Sequence, residues 1–311
     1  MKLYIGSTYG RLNVLKLESK YLKKNYDIIS DIQICSGSIE PILKIDNKFL
    51  LIGLEKKFIK IISSKNSKNF SIIKCPGGGF NDLCSFQSLQ HLIFAASKNF
   101  IYMWQKDLTG NWKMINKIIS KNKIGFISNI FKSNLLITSI KHSYDVNLWN
   151  IFKNKIYFCG KATIKEKVMG IDGSSFNEYF VIRDIKGKLH AYTNKGFNIN
   201  ILSEERNYKH KFGGFIQNSL KFYDENTFLT GGTSKNLSLW DLRINKIVQQ
   251  WKGHTGEIKK IDINQSSSDS HRYLAVSCDI FSTIKTWDIR MTNESHSFKL
   301  YSTEINSFKL I

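Results

Sequence analysis

The residue types that perform acid–base, nucleophilic or metal chemistry occur in this sequence without the spacing that those reactions need. No two histidines have the H-x-x-x-H or H-E-x-x-H spacing of a zinc site. The three glycines at 77–79 are not followed by the Lys-Ser/Thr pair of a phosphate-binding loop, and no G-x-S-x-G elbow occurs. The carboxylates are scattered, so no acid–base pair stands out. The sequence therefore predicts neither an enzyme nor a bound cofactor or metal.

The cysteines and the apolar runs restrict the class of protein further. The five cysteines have no C-x-x-C spacing, which predicts reduced, buried thiols and no zinc site or disulfide framework. No apolar run approaches the roughly 20 residues that a membrane span requires. The first residues lack the apolar core of a signal peptide, which predicts an intracellular protein. Because neither a membrane span nor a catalytic motif occurs, we expect no membrane partner and no small-molecule substrate.

The charge is strongly basic, with a formal net charge of +21 and a pI near 9.6. This balance favours polyanionic partners, RNA above all. The basic residues are 40 Lys and 6 Arg, which predicts diffuse attraction to a phosphate backbone and no base-specific recognition. An AT-rich genome produces the same excess of Lys, Ile and Asn without selection for binding, and Lys clusters are usually solvated surface. The candidate RNA or partner contacts are Lys56, Lys57, Lys161, Lys165 and Lys167.

The sequence contains a repeat of about 45 residues, and this repeat defines the strands on which the residues named above lie. Residues 237–243 read LSLWDLR and residues 284–290 read IKTWDIR, each with the period-two alternation of a strand that enters a turn. Similar strands recur at intervals of 42 to 48 residues. Their anchor residues are Leu15, Ile62, Trp104, Trp149, Tyr192, Trp240 and Trp287. Seven units of this length predict an all-β fold, a single seven-bladed propeller.

The order of strands predicts how the propeller closes. Most units contain four strands, a to d, with the anchor in strand c and a more polar strand d. The chain begins at a strand b, and its last residues, 304–311, align with the strand a at 257–264. We therefore expect the C-terminal strand to complete the N-terminal blade, and its removal to unseat that blade. The predicted domain is 1–311, without linker or tail.

The seventh unit resembles the WD-repeat family. Gly253-His254 precedes strand a, Ser277 and Asp279 lie in and after strand b, and Trp287-Asp288 ends strand c. The resemblance implies a hydrogen-bonded chain of His254, Ser277, Asp279 and Trp287 that makes the blade rigid. The other six units lack the Gly-His pair, so we expect apolar packing to hold them together.

A narrower resemblance is to the Nop-seven-associated WD-repeat family. The run Cys75-Pro76-Gly77-Gly78 after strand d, the Ile5-Gly6 step in the first strand and the pattern of residues 302–310 carry it. It implies a non-catalytic scaffold in ribosome biogenesis that binds assembly factors and pre-rRNA on a large-subunit (pre-60S) precursor in the nucleolus. Release by an AAA ATPase and a monomer within a larger complex are also implied. Two departures are the absent Lys-rich tail and a basic connection reduced to residues 161–167.

One motif keeps a different function open. Trp-Asp-x-Arg, with Asp241/Arg243 and Asp288/Arg290, resembles the docking box of cullin-type ubiquitin-ligase substrate receptors. The simpler interpretation of the motif is a salt-bridged turn at the end of strand c. The alternative function is an adaptor of another complex, either such a receptor or a spliceosomal subunit, with the cytoplasm as the alternative location.

Overall fold

The structure is a computed structural model. It describes residues 1–17, 27–45, 49–54, 58–63, 70–76, 80–86, 91–130, 133–194, 198–202, 219–264, 273–291, 294–299 and 304–311. These residues contain 28 strands, which form seven four-stranded antiparallel sheets. No helix in this part of the chain is long and apolar enough to cross a membrane.

The chain divides into two compact units. Unit 1 comprises Met1–Ser38, Lys186–Lys188 and Leu202–Ile311, and unit 2 comprises Ile39–Ile185 and Leu189–Ile201. We number the sheets 1 to 7 in chain order. Unit 1 contains sheets 1, 6 and 7, and unit 2 contains sheets 2 to 5.

The three sheets of unit 1 have the following strands. Sheet 1 has the order β28-β1-β2-β3, with β1 (Lys2–Ser7), β2 (Arg11–Lys16), β3 (Asp27–Gln33) and β28 (Ile305–Leu310). Sheet 6 consists of β20 (Leu220–Phe222), β21 (Thr227–Thr230), β22 (Leu237–Asp241) and β23 (Lys246–Trp251). Sheet 7 consists of β24 (Ile258–Ile263), β25 (Leu274–Asp279), β26 (Thr283–Asp288) and β27 (Glu294–Lys299).

The four sheets of unit 2 are simple up-and-down meanders. Sheet 2 consists of β4 (Ile39–Lys44), β5 (Phe49–Leu54), β6 (Phe58–Ser63) and β7 (Phe70–Lys74). Sheet 3 consists of β8 (Asp82–Ser85), β9 (Leu92–Ser97), β10 (Phe100–Lys106) and β11 (Trp112–Ile119). Sheet 4 consists of β12 (Ile124–Ile130), β13 (Leu135–Ile140), β14 (Asp145–Phe152) and β15 (Lys155–Thr163). Sheet 5 consists of β16 (Val168–Gly173), β17 (Tyr179–Asp184), β18 (Leu189–Thr193) and β19 (Asn198–Leu202).

Burial explains the sequence pattern within a sheet. A middle strand is covered on both faces and both edges, so it reads as a continuous apolar run. Every residue is buried in strands β9, β13, β21, β22 and β25. The fourth strand lies at an edge, and most residues of β7 and β23 are exposed. The predicted order of four strands is confirmed, whereas the fourth strands are exposed but not uniformly polar, since Ile72 of β7 and Val248 of β23 are exposed apolar side chains.

Sheet 1 is completed by the end of the chain, as the sequence predicts. Strand β28 pairs antiparallel with β1, and the register places Leu3 opposite Leu310. Phe308 is 1% exposed and packs in one cluster with Leu3, Ile5 and Leu15. The first and last strands of the chain therefore share one core.

A carboxylate of sheet 7 fixes the same strand. Asp262 of β24 is buried, and its side chain accepts a hydrogen bond from the backbone N–H of Leu310 at 2.7 Å. Its other oxygen accepts one from Nζ of Lys309 at 2.6 Å. Strand β28 is thus held by β1 along its backbone and by Asp262 through charge-assisted hydrogen bonds.

Candidate functional site

Sheet 7 holds a buried polar chain of four side chains. The indole N–H of Trp287 donates to Oγ of Ser277 at 2.7 Å, and Oγ of Ser277 lies 2.7 Å from Nε2 of His254. Nδ1 of His254 lies 3.2 Å from Oδ2 of Asp279. His254 precedes β24, Ser277 and Asp279 belong to β25, and Trp287 belongs to β26. The structure therefore joins three segments of the sheet by side-chain hydrogen bonds.

One arrangement of protons satisfies this chain with a neutral imidazole. Trp287 can only donate, so Ser277 accepts from it. An ionised Asp279 can only accept, so Nδ1 of His254 donates to it, and Nε2 of the neutral ring accepts a hydrogen bond from Ser277. A buried donor without a partner costs about 1–3 kcal/mol, so the chain permits a Trp, a His and an Asp to be buried together.

Asp279 is the last of the four hydrogen-bonded side chains, and it organises the turn between β25 and β26. Oδ1 accepts hydrogen bonds from the backbone N–H groups of Phe281 (3.0 Å) and Thr283 (2.9 Å), and Oδ2 also accepts from Gly256 N at 3.3 Å. Burial by itself raises the pKa of Asp279, but the hydrogen bonds from His254 and the backbone outweigh it and the net pKa is lowered. Asp279 is therefore an ionised structural carboxylate.

Two other sheets contain a hydrogen bond equivalent to that between Trp287 and Ser277. The indole N–H of Trp149 donates to Oγ1 of Thr138 in sheet 4, and that of Trp240 donates to Oγ1 of Thr230 in sheet 6, both at 2.9 Å. In each case the hydroxyl lies on the neighbouring strand b. These two sheets thus add a hydrogen bond to the apolar packing that the sequence predicts for them.

Sheet 5 contains a histidine–carboxylate pair like that of His254 and Asp279, but its histidine comes from a different strand. Asp184 lies at the end of β17, as Asp279 does at the end of β25. Its partner is His190 of β18, whose Nε2 lies 3.1 Å from Oδ2 of Asp184, and both side chains are buried. The sequence does not reveal this pair, because His190 has no metal-site spacing and lies in a different strand from its partner Asp184.

The predicted anchors all lie in the core. Each is no more than 9% exposed: Leu15, Ile62, Trp104, Trp149, Tyr192, Trp240 and Trp287. Aromatic rings pack against several of them, including Phe180 stacked on Tyr192 and Phe228 stacked on Trp240. These residues therefore hold the sheets together and are not available to a partner.

The two Asp–Arg pairs of the possible docking box form local ion pairs. Arg243 donates from Nη2 to Asp241 at 2.6 Å and from Nε at 3.1 Å. Arg290 makes the same two contacts with Asp288, at 2.6 and 2.9 Å. These hydrogen bonds lower the pKa of both carboxylates. The guanidinium side chains remain 67% and 57% exposed.

The candidate lysines that the structure describes lie on and after β15. Lys161, Lys165 and Lys167 are exposed, and Nζ of Lys161 lies 3.6 Å from Asp145. Lys56 and Lys57 lie outside the described residues. One candidate contact therefore lies in β15 and two on the connection between sheets 4 and 5.

Beside these lysines, sheet 4 exposes aromatic rings that sequence reasoning missed. Phe152 and Tyr157 are 58% and 48% exposed. The register places Phe152 opposite Lys155 and Asn150 opposite Tyr157, so both rings lie on one face of the β14–β15 pair, diagonal to each other. Phe158 is opposite Trp149 on the other face and packs edge-on against it. The alternation of Lys155, Ile156 and Tyr157 in the sequence indicates that Lys155 and Tyr157 share a face.

A cleft of about 320 Å³ opens on the same face of sheet 4. Leu148, Asn150, Cys159 and Gly160 line it, and Asn194 lines it from the end of β18. A Cβ atom added at Gly160 would meet nothing within 4 Å, which shows that the missing side chain leaves open space. Burial raises the pKa of the Cys159 thiol, so this thiol is not an activated nucleophile.

Within the described ranges, no group of three or more His, Cys, Asp or Glu side chains could hold a metal ion. The polar chain of sheet 7 is fully buried, with His254 and Asp279 side chains at 0% exposure. A group that water and substrate cannot reach cannot act as an acid or base on a substrate. Its hydrogen bonds join strands of the sheet and stiffen it.

Comparison with known proteins agrees with this architecture. No protein-family model matches the chain. Among solved structures, it is similar to the WD40 beta propeller domain of Doa1, with a TM-score of 0.67 and 14% sequence identity. The match covers 86% of this chain and 85% of that one.

This likeness defines the fold. The seven four-stranded sheets are the blades of a seven-bladed β-propeller, the fold that the chain shares with that WD40 domain, and the predicted fold class is confirmed. The resemblance to the Nop-seven-associated family stays a hypothesis.

Proposed function

We propose that this protein is a non-catalytic scaffold that holds assembly factors and pre-rRNA on a large ribosomal subunit precursor in the nucleolus. The observation that carries the proposal is a WD40-type propeller fold combined with a net charge of +21. WD40 propellers typically act as rigid interaction platforms, and a strongly basic surface attracts RNA. Function then lies in exposed surfaces and not in a pocket for a substrate.

Three positions support the choice of ribosome assembly over other scaffolding roles. Cys75 and Pro76 follow β7, and the Cys75 side chain is buried. Ile5 and Gly6 lie in β1, the strand b that begins the chain, and β28 supplies strand a of the same sheet. These are the positions on which the resemblance to the Nop-seven-associated family rests; Gly77 and Gly78 lie outside the described residues.

The stiffness of the sheets is what a scaffold requires. Polar chains such as that of sheet 7 hold strands in one register, so loops between the strands are presented in a fixed geometry. Protein partners on such a platform include assembly factors and an AAA ATPase that removes the protein, which acts as a monomer within the larger complex. Pre-rRNA is held by diffuse lysine contacts, with Lys161, Lys165 and Lys167 as candidates.

The experiment is native tagging of the protein, followed by gradient sedimentation and sequencing of the RNA and protein that travel with it. We expect large-subunit rRNA precursors and their assembly factors in the same fractions. Sedimentation with small nuclear RNAs or with a cullin complex, and without rRNA precursors, would overturn the proposal.

A second candidate, a cullin-type substrate receptor, is favoured by one observation. Arg243 and Arg290 repeat the same Asp-paired geometry and keep most of their surface exposed. The double variant Arg243→Ala/Arg290→Ala should abolish recovery of a ligase adaptor if this candidate is correct. Arg11→Ala is the matched control, because Arg11 forms an exposed ion pair with Asp31 at 2.7 Å outside the motif. Unchanged recovery in the double variant eliminates the receptor function.

A further inference from the structure

We propose that the exposed face of the β14–β15 hairpin in sheet 4 binds single-stranded RNA, with Phe152 and Tyr157 stacking on bases and Lys153 and Lys155 contacting phosphates. Proteins that bind single strands combine aromatic platforms with positive charge along the backbone path. Unpaired bases stack on such rings because every base has a π face. This hairpin has both features on one face.

The charge of the hairpin selects a polyanion as its partner. Residues 146–165 contain four lysines, at 153, 155, 161 and 165, and no Asp or Glu. The bordering acid Asp145 is occupied, since its side chain accepts a hydrogen bond from Thr163 at 2.6 Å and lies 3.6 Å from Lys161. Glu166 is the acid at the other border. An apolar partner would not need these lysines, and an acidic partner without rings or bases would not need Phe152 and Tyr157.

The turn of the hairpin fixes the lysines beside the rings. Lys153 and Asn154 both have positive φ, 47° and 59°, which makes a tight two-residue turn. The Asn154 side chain donates to Oε1 of Gln105 in β10 at 3.2 Å, which ties the turn to sheet 3 of the same unit. Nζ of Lys153 lies 5.4 Å from the centroid of the Phe152 ring. Because this cation lies over the ring, a base that stacks on Phe152 would use the other ring face or displace the flexible Lys153 side chain, and in either case a cation would lie close to the bound nucleotide.

The cleft supplies polar groups for the edge of a base. Its volume, about 320 Å³, is at the lower end of the range of small-ligand sites. Leu148 and Gly160 are apolar, while the side chains of Asn150 and Asn194 can each donate and accept hydrogen bonds. Asn150 is directly opposite Tyr157, so the cleft continues from the stacking ring. The cleft has room for one unstacked base, with Tyr157 beside it, Leu148 and Gly160 below it and the amides of Asn150 and Asn194 at its edge.

This inference names the RNA contact within the proposed scaffold function, and it rests on that function for the choice of RNA as the natural polyanion. The two can fail separately. Sedimentation tests the assembly to which the protein belongs, whereas binding of a purified oligonucleotide tests the surface. Base-dependent oligonucleotide binding without rRNA precursors on the gradient would remove the ribosome assembly proposal and keep the hairpin surface.

The test measures binding of a fluorescent oligouridine of about 12 nucleotides to the full chain by anisotropy at about 0.1 M KCl. The comparison ligand is an abasic phosphodiester of the same length, which keeps the charge and removes the bases. We expect the wild type to bind oligouridine on the order of 10-fold tighter than the abasic ligand. Equal affinities for the two ligands would overturn the proposal.

Variants locate the effect on the hairpin. Phe152→Ala/Tyr157→Ala should lose on the order of 10-fold or more for oligouridine and should change binding of the abasic ligand little. Phe70→Ala is the matched control, because Phe70 is a 51% exposed ring on the fourth strand of another sheet, with the cation of Lys60 3.7 Å from its centroid. Circular dichroism verifies that each variant is folded.

The lysines are tested by salt dependence. Lys153→Ala/Lys155→Ala should weaken both ligands equally and reduce the slope of log affinity against log salt by about 1–2. Lys246→Ala, an exposed lysine on β23, serves as the control. An aromatic double variant that loses no more RNA affinity than Phe70→Ala would contradict the proposal. So would an acidic peptide that binds the wild type as tightly as RNA and depends equally on the rings.

Discussion

At the scale of single residues, the sequence predicted one complete polar chain and missed its fragments elsewhere. His254 and Trp287 could be recognised because the Gly-His and Trp-Asp pairs of the seventh unit resemble the WD-repeat pattern. Thr138 and Thr230 could not, because threonine is common in strands and the sequence does not show which hydroxyl faces an indole. The role of His190 could not be predicted either, because only the pairing of β17 with β18 brings it to its partner Asp184.

Ser277 is the central residue of the chain, and its removal should be costly. Ser277→Ala leaves the indole N–H of Trp287 and Nε2 of His254 each without a buried partner, while Nδ1 of His254 keeps Asp279, so we expect a loss of about 1–3 kcal/mol in the free energy of unfolding. Urea denaturation measures it. Ser297→Ala on β27, an exposed serine of the same sheet, should change the value by less than about 0.5 kcal/mol. Equal effects in the two variants would show that the chain is not stabilising.

Asp279 gives the stability of sheet 7 a defined dependence on pH. Its pKa is lower in the folded chain than in the unfolded one, where it is about 3.9. The stabilisation is therefore fully present above that unfolded value and disappears as pH falls through the folded pKa. We expect the difference in unfolding free energy between the wild type and Asp279→Asn to narrow below about pH 4.

Urea denaturation at a series of pH values measures this difference. Glu178→Gln removes an exposed carboxyl and serves as the control. A difference between the wild type and Asp279→Asn that stays constant from neutral pH to about pH 3 would contradict the assignment of Asp279 as a stabilising carboxylate.

At the scale of strands, the sequence predicted most of the strand positions because buried strands are continuous apolar runs. The fourth strands are less predictable, and β15 shows why. A register shift falls between Leu148 and Trp149, where Cys159 is the extra residue on the opposite strand. Such a bulge reverses the alternation of faces. A period of two separates Tyr157 from Phe158, but beyond the bulge at Cys159 it could not show that the face of Tyr157 continues to Gly160 and the cleft.

Phe308 tests whether β28 is essential to sheet 1. Phe308→Ala removes a ring that is 1% exposed, and substitutions of this kind cost about 3–5 kcal/mol. We expect faster hydrogen exchange in β1 and β2, measured by mass spectrometry. Asn306→Ala changes a half-buried residue of the same strand and should leave exchange in β1 nearly unaltered. Protection in β1 that survives Phe308→Ala would show that β1 is stable without its partner.

At the scale of the whole molecule, the net charge has an effect on stability as well as on partners. With 46 basic and 25 acidic residues, the folded chain repels itself, and salt screens this repulsion. Relief of 1 kcal/mol raises the Tm of a chain of this size by roughly 2 °C. We therefore expect the Tm to increase by about that amount between roughly 0.02 and 0.2 M KCl.

Differential scanning fluorimetry measures this Tm. The increase should be the same in NaCl, because screening depends on ionic strength and not on the cation. A Tm that falls with salt would mean that the lysines are already neutralised by local ion pairs. RNA affinity should respond in the opposite direction, since phosphate contacts weaken as salt is added.

The pairing of β1 with β28 also determines when sheet 1 can form during synthesis. Leu3 and Leu310 are partners, so about 300 residues are translated between the two strands, which takes roughly 15–60 s. Throughout that interval the nascent chain carries β1 with one unpaired edge, which is open to the strands of other chains. Sheet 1 is therefore completed after its neighbours in sequence, and a chaperone that covers β1 would have to leave before β28 arrives.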